Sequence, residues 1–273
     1  MGVCLSSTIT IFALAAFSLL LAANVGTVKQ NSFKSNIYML ELSLKDLELS
    51  TILPQQYSRY LAETLGFADG YVLGMYGYCR GFSNGDGDGD NLWDTLTYNK
   101  ADCSGTSTNY KFNLATFIVH QINTYNTANL EVDVSSISLP KDLDTYITVS
   151  NDVSRIIYIT SIIAICLQFV TIFAQWFLHT FCGIFMVSIL QLMTLIAAFL
   201  SSGSATALYL IYYGGLNSIE DGIRARMSIN FLALTWTGAG CTLIAFVLTL
   251  FNCCCGGRKS KQKEKDNYER VIE

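Results

Sequence analysis

Residues Ile156 to Phe177 read IIYITSIIAICLQFVTIFAQWF and residues Cys182 to Ala207 read CGIFMVSILQLMTLIAAFLSSGSATA, with only Leu178, His179, Thr180 and Phe181 between them. Neither window contains Asp, Glu, Lys or Arg. At about 1.5 Å per residue, runs of about 22 to 26 residues cross a hydrocarbon core of about 30 Å. So short a connection makes the two helices antiparallel neighbours. Leu5 to Val25 and Ile229 to Phe251 are likewise free of charged side chains. The reading is therefore an all-α transmembrane four-helix bundle.

Composition agrees. Hydrophobic side chains make up 51% of the chain and charged ones 14%, against about 25% charged residues in ordinary soluble domains. The first window is longer than the 7 to 15 residue apolar core usual for a secretory signal, and no Lys or Arg precedes it, so it reads as a retained helix. Four crossings put both termini on one side. Arg258, Lys259, Lys261, Lys263 and Lys265 follow the last window, whereas Tyr209 to Ser228 holds only Arg224 and Arg226. The positive-inside rule then makes both termini cytoplasmic.

The expected organisation is a short cytoplasmic N-terminus (1–4), a first span (5–25), a large outer loop (26–155), a second span (156–177), a cytoplasmic turn (178–181), a third span (182–207), a second outer loop (208–228), a fourth span (229–251) and a cytoplasmic tail (252–273). The net charge of -4 combines an acidic outer loop with a basic inner flank. Within the first loop, Ile37 to Leu49 carries Leu40, Leu44 and Leu47 at helical spacing and predicts an amphipathic helix. Asn113 to Asn123 and Val132 to Leu139 are expected to pair as strands with the segment Tyr71 to Tyr78.

Gly74-Met75-Tyr76-Gly77-Tyr78-Cys79 and, further on, Cys103 supply the only cysteines well clear of a membrane. In an oxidising compartment they read as a structural disulfide, which closes a loop of about 25 residues and stabilises by roughly 3 kcal/mol on the chain-entropy model. A catalytic dithiol would require closer spacing than this. Asn84, Asp86, Asp88 and Gly89 copy the first half of an EF-hand loop, with Asp90 after them, but Thr95 stands where a bidentate Glu is needed. The stretch reads as a solvated acidic turn, with weak calcium binding at Asp86, Asp88 and Asp90 as the alternative.

Inside the spans the polar residues include Gln168, Gln175, Gln191 and Asn230, with hydroxyls scattered among them. Amides at this depth usually hydrogen-bond between helices, and a transport route would more often show ionisable groups. His179 reads as an interfacial histidine rather than a ligand. Met1-Gly2-Val3-Cys4-Leu5-Ser6 fits the myristoylation pattern, which is short enough to arise by chance. Cys253, Cys254 and Cys255, beside the membrane in a reducing cytosol, read as acylation sites that would sort the protein laterally. The basic residues after them suit anionic inner-leaflet lipid. No GxSxG, HExxH, P-loop or dinucleotide fingerprint is present, so the expectation is a non-enzymatic protein with no cofactor and no nucleic-acid partner. Its expected partners are the lipid bilayer and other membrane proteins or copies of itself.

The elements Gly74, Gly77, Cys79 and Cys103, set between four spans, resemble the Gly-apolar-apolar-Gly-x-Cys…Cys signature of fungal claudin-like membrane proteins. Among these the chain looks most like the SUR-seven/PalI family. That resemblance implies a claudin-like fold with a small extracellular, β-containing, disulfide-bonded subdomain. It also implies residence in eisosome-associated furrow domains of the plasma membrane, with roles in lateral membrane organisation, cell-wall integrity and stress response. The Fig-one family shares the signature and implies the alternative, regulation of calcium influx and membrane fusion during mating.

Overall fold

The computed structural model describes residues 2–25, 37–43, 64–68, 70–83, 98–104, 113–127, 131–136, 141–177, 181–214 and 224–272. In chain order the elements are α1 (Gly2–Val25), β1 (Leu40–Ser43), β2 (Gly70–Leu73), β3 (Tyr78–Ser83), β4 (Tyr98–Cys103), α2 (Leu114–Tyr125), a 3₁₀ turn (Val134–Ser136), α3 (Lys141–Phe177), α4 (Phe181–Gly214), β5 (Arg224–Arg226) and α5 (Ile229–Ile272). Among the described residues four segments are long and apolar enough to cross a membrane: Ser6–Val25, Thr145–Gln175, Phe185–Gly214 and Ile229–Asn252. All four membrane helices outrun the charge-free windows. α3 begins at Lys141 and takes in Asp152 and Arg155, and α4 continues to Gly214. A charge-free window marks where a helix can meet lipid, while backbone hydrogen bonding continues for as long as no Pro interrupts it.

The chain divides into two compact units. The first comprises Met1–Asn24, Ile159–Gly203 and Ala233–Glu273. Its described helices reverse the usual distribution of side chains. Large apolar groups such as Ile11, Phe169, Phe173, Met193 and Phe251 are exposed, while Ala13, Ala16, Ala164, Ala198 and Ala239 are buried. Lipid solvates the former, and the small residues let helix backbones approach closely. Leu20, Ala164, Ala197, Ala198 and Ala239 form one core layer, with Ile165 packed against it. A Cβ at Gly238 would stand 3.0 Å from Leu20 Cγ, so glycine is what admits the leucine there. Hydrogen bonds tie the helices together: Ser202 Oγ donates to the Thr235 carbonyl at 3.0 Å, Ser161 Oγ to Asn24 Oδ1 at 3.1 Å, and Gln168 Nε2 to the Ala13 carbonyl at 3.2 Å. Such bonds contribute about 0.6 to 2 kcal/mol each.

The second unit comprises Val25–Tyr158 and Ser204–Leu232 and holds a five-stranded sheet in the order β4-β3-β2-β1-β5, antiparallel throughout. A sheet with open edges cannot sit in hydrocarbon, because its edge N–H and C=O groups would go unpaired, so this unit's sheet lies outside the bilayer. β1 comes from the connection after the first span and β5 from the connection after the third. Their pairing puts both connections on the same side of the membrane, as an even number of crossings between them requires.

Three local expectations are corrected. Leu40–Ser43, expected within a helix, is a strand; Leu40, Glu41 and Leu42 are all buried, so the strand is enclosed on both faces and shows no alternation. The remainder of that predicted helix, residues 44–49, lies outside the described residues. Asn113–Asn123, expected as a strand, belongs to helix α2, whose N-cap Asn113 accepts from the Thr116 N–H at 3.0 Å. That cap and a buried stripe at Phe117, Ile118, Gln121 and Ile122 give helical period despite the β-branched residues. Val132–Leu139 contributes a 3₁₀ turn over Val134–Ser136 and no strand among its described residues. There the Asn123 side chain takes over the backbone groups of Val132, accepting from its N–H at 2.9 Å and donating to its carbonyl at 3.0 Å.

The turn ending at Gly66 leads into β2 and is the tightest point of this unit. Gly66 has φ +80°, and a Cβ there would lie 2.6 Å from the Tyr125 carbonyl carbon at the end of α2. Thr127 N–H donates to the Thr64 carbonyl at 3.0 Å alongside it. Gly66→Ala therefore combines backbone strain with a collision against main chain that cannot step aside. Its expected cost is about 1 to 3 kcal/mol, read as a lower denaturation midpoint of the purified full-length protein. A change within a few tenths would show that the turn does not pack in this way.

Candidate functional site

The Gly74–Cys79 motif is the tip and second strand of a hairpin. Leu73 pairs with Tyr78, and Gly74 N–H donates to the Gly77 carbonyl at 2.8 Å, leaving Met75 and Tyr76 as the two loop residues. Gly74 and Gly77 thus frame the turn. Met75 is buried, and Tyr76 meets Tyr158 of α3 edge-on with ring centroids 5.6 Å apart. Burial, and secondarily Tyr158, raises the Tyr76 phenol above its ordinary pKa.

Cys79 and Cys103 are bonded. They stand directly opposite each other between β3 and β4, beside the Tyr78–Ser104 pair, in which Ser104 N–H donates to the Tyr78 carbonyl at 2.8 Å. The cysteines therefore occupy the neighbouring non-hydrogen-bonded position, where Cα atoms approach most closely across an antiparallel ladder. Ser104 Oγ accepts the Tyr78 N–H at 3.0 Å. The bridge closes the strand pair around residues 84–97. Asp86, Asp88 and Asp90 fall in that stretch and lie outside the described residues.

The strand registers combine into lateral rows across the sheet. One row runs Arg226, Glu41, Val72, Cys79, Cys103, and the next runs Ala225, Leu42, Tyr71, Arg80, Asp102. Successive rows face opposite sides of a sheet. The side bearing Tyr71, Tyr78 and Arg80 packs on α2. Tyr71 and Tyr78 flank Phe117 in edge-to-face contacts at 4.7 and 5.0 Å. Gln121, fully buried, lies between the two phenols: Tyr71 O–H donates to its Oε1 at 3.4 Å and its Nε2 donates to Tyr78 Oη at 3.1 Å. Arg80, also buried, places its guanidinium carbon 3.7 Å from the centre of the Tyr125 ring. Burial pushes the Tyr71 phenol up to about 12, against the opposing pull of the Ala68 N–H donated to its oxygen and of the Arg80 charge.

The opposite side carries a buried acid. Glu41 is 3% exposed, accepts the Tyr38 O–H at 2.7 Å, and has Arg226 directly across the β1–β5 pairing. Burial raises Tyr38 well above the usual phenol range, the Glu41 carboxylate adds to the rise, and the Arg226 charge opposes it. An isolated carboxylate in this position would be costly, and hydrogen bonding with an opposite charge offsets that cost. Arg226, counted in the sequence only as a charge in a short loop, is thus a strand residue facing an acid from the other loop. The one sequence signal was the polar, apolar, polar alternation Arg224-Ala225-Arg226, too short to separate from chance. Phe117, Gln121 and Tyr125 carried no motif of their own.

Cys253, Cys254 and Cys255 fall within α5, which runs on to Ile272, so the tail expected as Cys-rich and then basic is helical; the side chains beyond Asn252 are outside the described residues. His179 also lies outside it. His120 is exposed, with Nδ1 3.4 Å from Thr124 Oγ1. Among the described residues no three His, Cys, Asp or Glu side chains gather closely enough to hold a metal ion.

Four apolar spans, a small antiparallel sheet and the Cys79–Cys103 disulfide define a claudin-like four-span membrane protein. The chain belongs to the SUR7/PalI family, whose model matches residues 5–248. It is similar to Protein PUN1 of Saccharomyces cerevisiae (strain ATCC 204508 / S288c), at 28% identity over 247 residues covering 87% of each chain. No solved structure matches it.

The bridge should be structural in effect. Cys79→Ser or Cys103→Ser is expected to cost the second unit about 3 kcal/mol, the loop-closure term for a sequence separation of 24. The measurement is the unfolding midpoint with and without reductant. A wild-type midpoint indifferent to reductant would exclude a stabilising bridge.

Proposed function

We propose that the protein is a non-enzymatic organiser of a lateral domain in the plasma membrane, of the eisosome or furrow type, acting in cell-wall integrity and stress response. The observation that carries this reading is membership of the SUR7/PalI family over residues 5–248, joined to the furrow residence that the sequence resemblance implies. The architecture supports it. The first unit presents large apolar side chains outward and closes its interior with small ones, the construction of a body that packs among lipids and neighbouring helices. The sheet is tied by a disulfide, a buried Glu41–Tyr38 bond and an aromatic cluster on α2, which suits a rigid surface for contact outside the cell.

In this reading both termini are cytoplasmic, and the segment after Asn252 acts at the inner leaflet. Acylation of Cys253, Cys254 and Cys255 and attraction of Arg258, Lys259, Lys261, Lys263 and Lys265 to anionic lipid supply the lateral sorting. Each basic residue near the surface contributes about 1 kcal/mol. Partners are other membrane proteins or further copies of the chain.

Replacing Cys253, Cys254 and Cys255 together by serine is expected to disperse a stable, patchy surface distribution of the tagged full-length protein while surface delivery continues. Unchanged patches would remove acylation from the mechanism. Accumulation at mating-cell fusion sites, with loss of stimulated calcium uptake on changing Asp86, Asp88 and Asp90 to Asn, would replace the organiser reading with the calcium-influx one.

A further inference from the structure

The interior of the membrane-spanning unit is polar on the side of the α3–α4 connection. Counting along each helix from the Leu20, Ala164, Ala197, Ala198 and Ala239 layer toward that connection, the buried residues include Gln168, Thr171, Thr194, Gln191, Ser188, Thr242 and Thr249 beside the apolar Ile9, Ala13, Ala16, Val187 and Ala245. The threonines are settled. Thr171, Thr194, Thr242 and Thr249 each donate to the carbonyl four residues back on their own helix, at 2.7 to 2.9 Å.

The glutamines are not. Gln191 is fully buried and neither its Oε1 nor its Nε2 has a partner; Gln168 Oε1 and Gln175 Nε2 are likewise unpaired. Gln191 lacks partners at both atoms as it stands. Gln168 is fixed by the bond from its Nε2 to the Ala13 carbonyl. Thr10 Oγ1 stands 3.4 Å from Gln175 Oε1 while donating to the Ser6 carbonyl at 3.0 Å, and Gln175 Nε2 is left unpaired. A buried amide without a partner is strongly disfavoured, and in hydrocarbon no bulk solvent can relieve it.

What these atoms lack is both donors, for the carbonyls of Gln168 and Gln191, and acceptors, for the amides of Gln175 and Gln191. The spans Ser6–Val25, Phe185–Gly214 and Ile229–Asn252 contain no Asp, Glu, Lys, Arg or His, and α3 from Ile159 to Phe177 contains none either. A charged ligand would therefore find no countercharge. We propose that this half of the bundle interior binds ordered water, principally at Gln191, with the unpaired atoms of Gln168 and Gln175 as further places for it. Water is small, uncharged, and both donates and accepts, and internal waters typically satisfy two to four otherwise unpaired buried groups.

The test uses the full-length protein in lipid nanodiscs, with ¹⁵N in the glutamine side chains. Water-edited solid-state NMR should show transfer of water magnetisation to the Gln191 side-chain amide, identified as the signal missing from Gln191→Leu. No transfer to that signal would overturn the proposal. Independently, Gln191→Leu should lower the unfolding temperature by about 2 to 4 °C, because it deprives the water of its main partner. An unchanged or raised unfolding temperature would mean a dry, unpaired amide and would likewise overturn it. Should the leucine variant fail to assemble, the wild-type transfer measurement stands alone, with the glutamine signals assigned through Gln191→Asn.

Discussion

Glu41 is the constraint around which the second unit is arranged. It is a carboxylate at 3% exposure on a strand paired on both sides, and removing the partner of a buried charge typically costs about 3 to 5 kcal/mol. Its neighbours are the Tyr38 hydroxyl from its own loop and Arg226 from the other. The second loop is therefore part of the sheet. Through β5 it completes the row that ends, across the sheet, in the Cys79–Cys103 bridge. The two ends of that row differ in chemistry, with a buried acid set opposite Arg226 at β1–β5 and a covalent bond at β3–β4.

The reverse side of the sheet shows why the motif glycines and the aromatic residues belong together. Gly74 and Gly77 turn the chain sharply enough for Tyr71 and Tyr78 to stand on the same side of successive strands, and Phe117 fits between them. Gln121 then links both phenols. The family signature is thus the visible part of a larger packing arrangement, whose remaining members sit on a helix that no motif marks. The first unit has the opposite design, with small and polar residues inside and large apolar ones outside.

The bundle was legible in the sequence because a span demands about 20 apolar residues, and that demand is written directly in charge-free windows such as Cys182 to Ala207. The bridge was legible because Cys79 and Cys103 were the only cysteines away from a membrane. The small sheet was legible only in part. Leu40 to Ser43 is buried on both faces and so lacks strand alternation, and its neighbouring leucines imitate a helical stripe. β-branched residues in Leu114 to Tyr125 suggested a strand, yet the Asn113 cap and tertiary burial select a helix. β5 is three residues long, and its pairing is set by Glu41, far away in sequence. Local periodicity carries no information about such a partner.

The union of the two loops in one sheet can be tested by covalent capture. Ser43→Cys and Arg224→Cys place thiols at positions directly opposed in the β1–β5 register. With a protease site inserted between 215 and 223, oxidation followed by cleavage should leave the two fragments joined on a non-reducing gel and release them on reduction. Fragments that separate without reductant, while Cys79 and Cys103 remain bonded, would contradict the shared sheet.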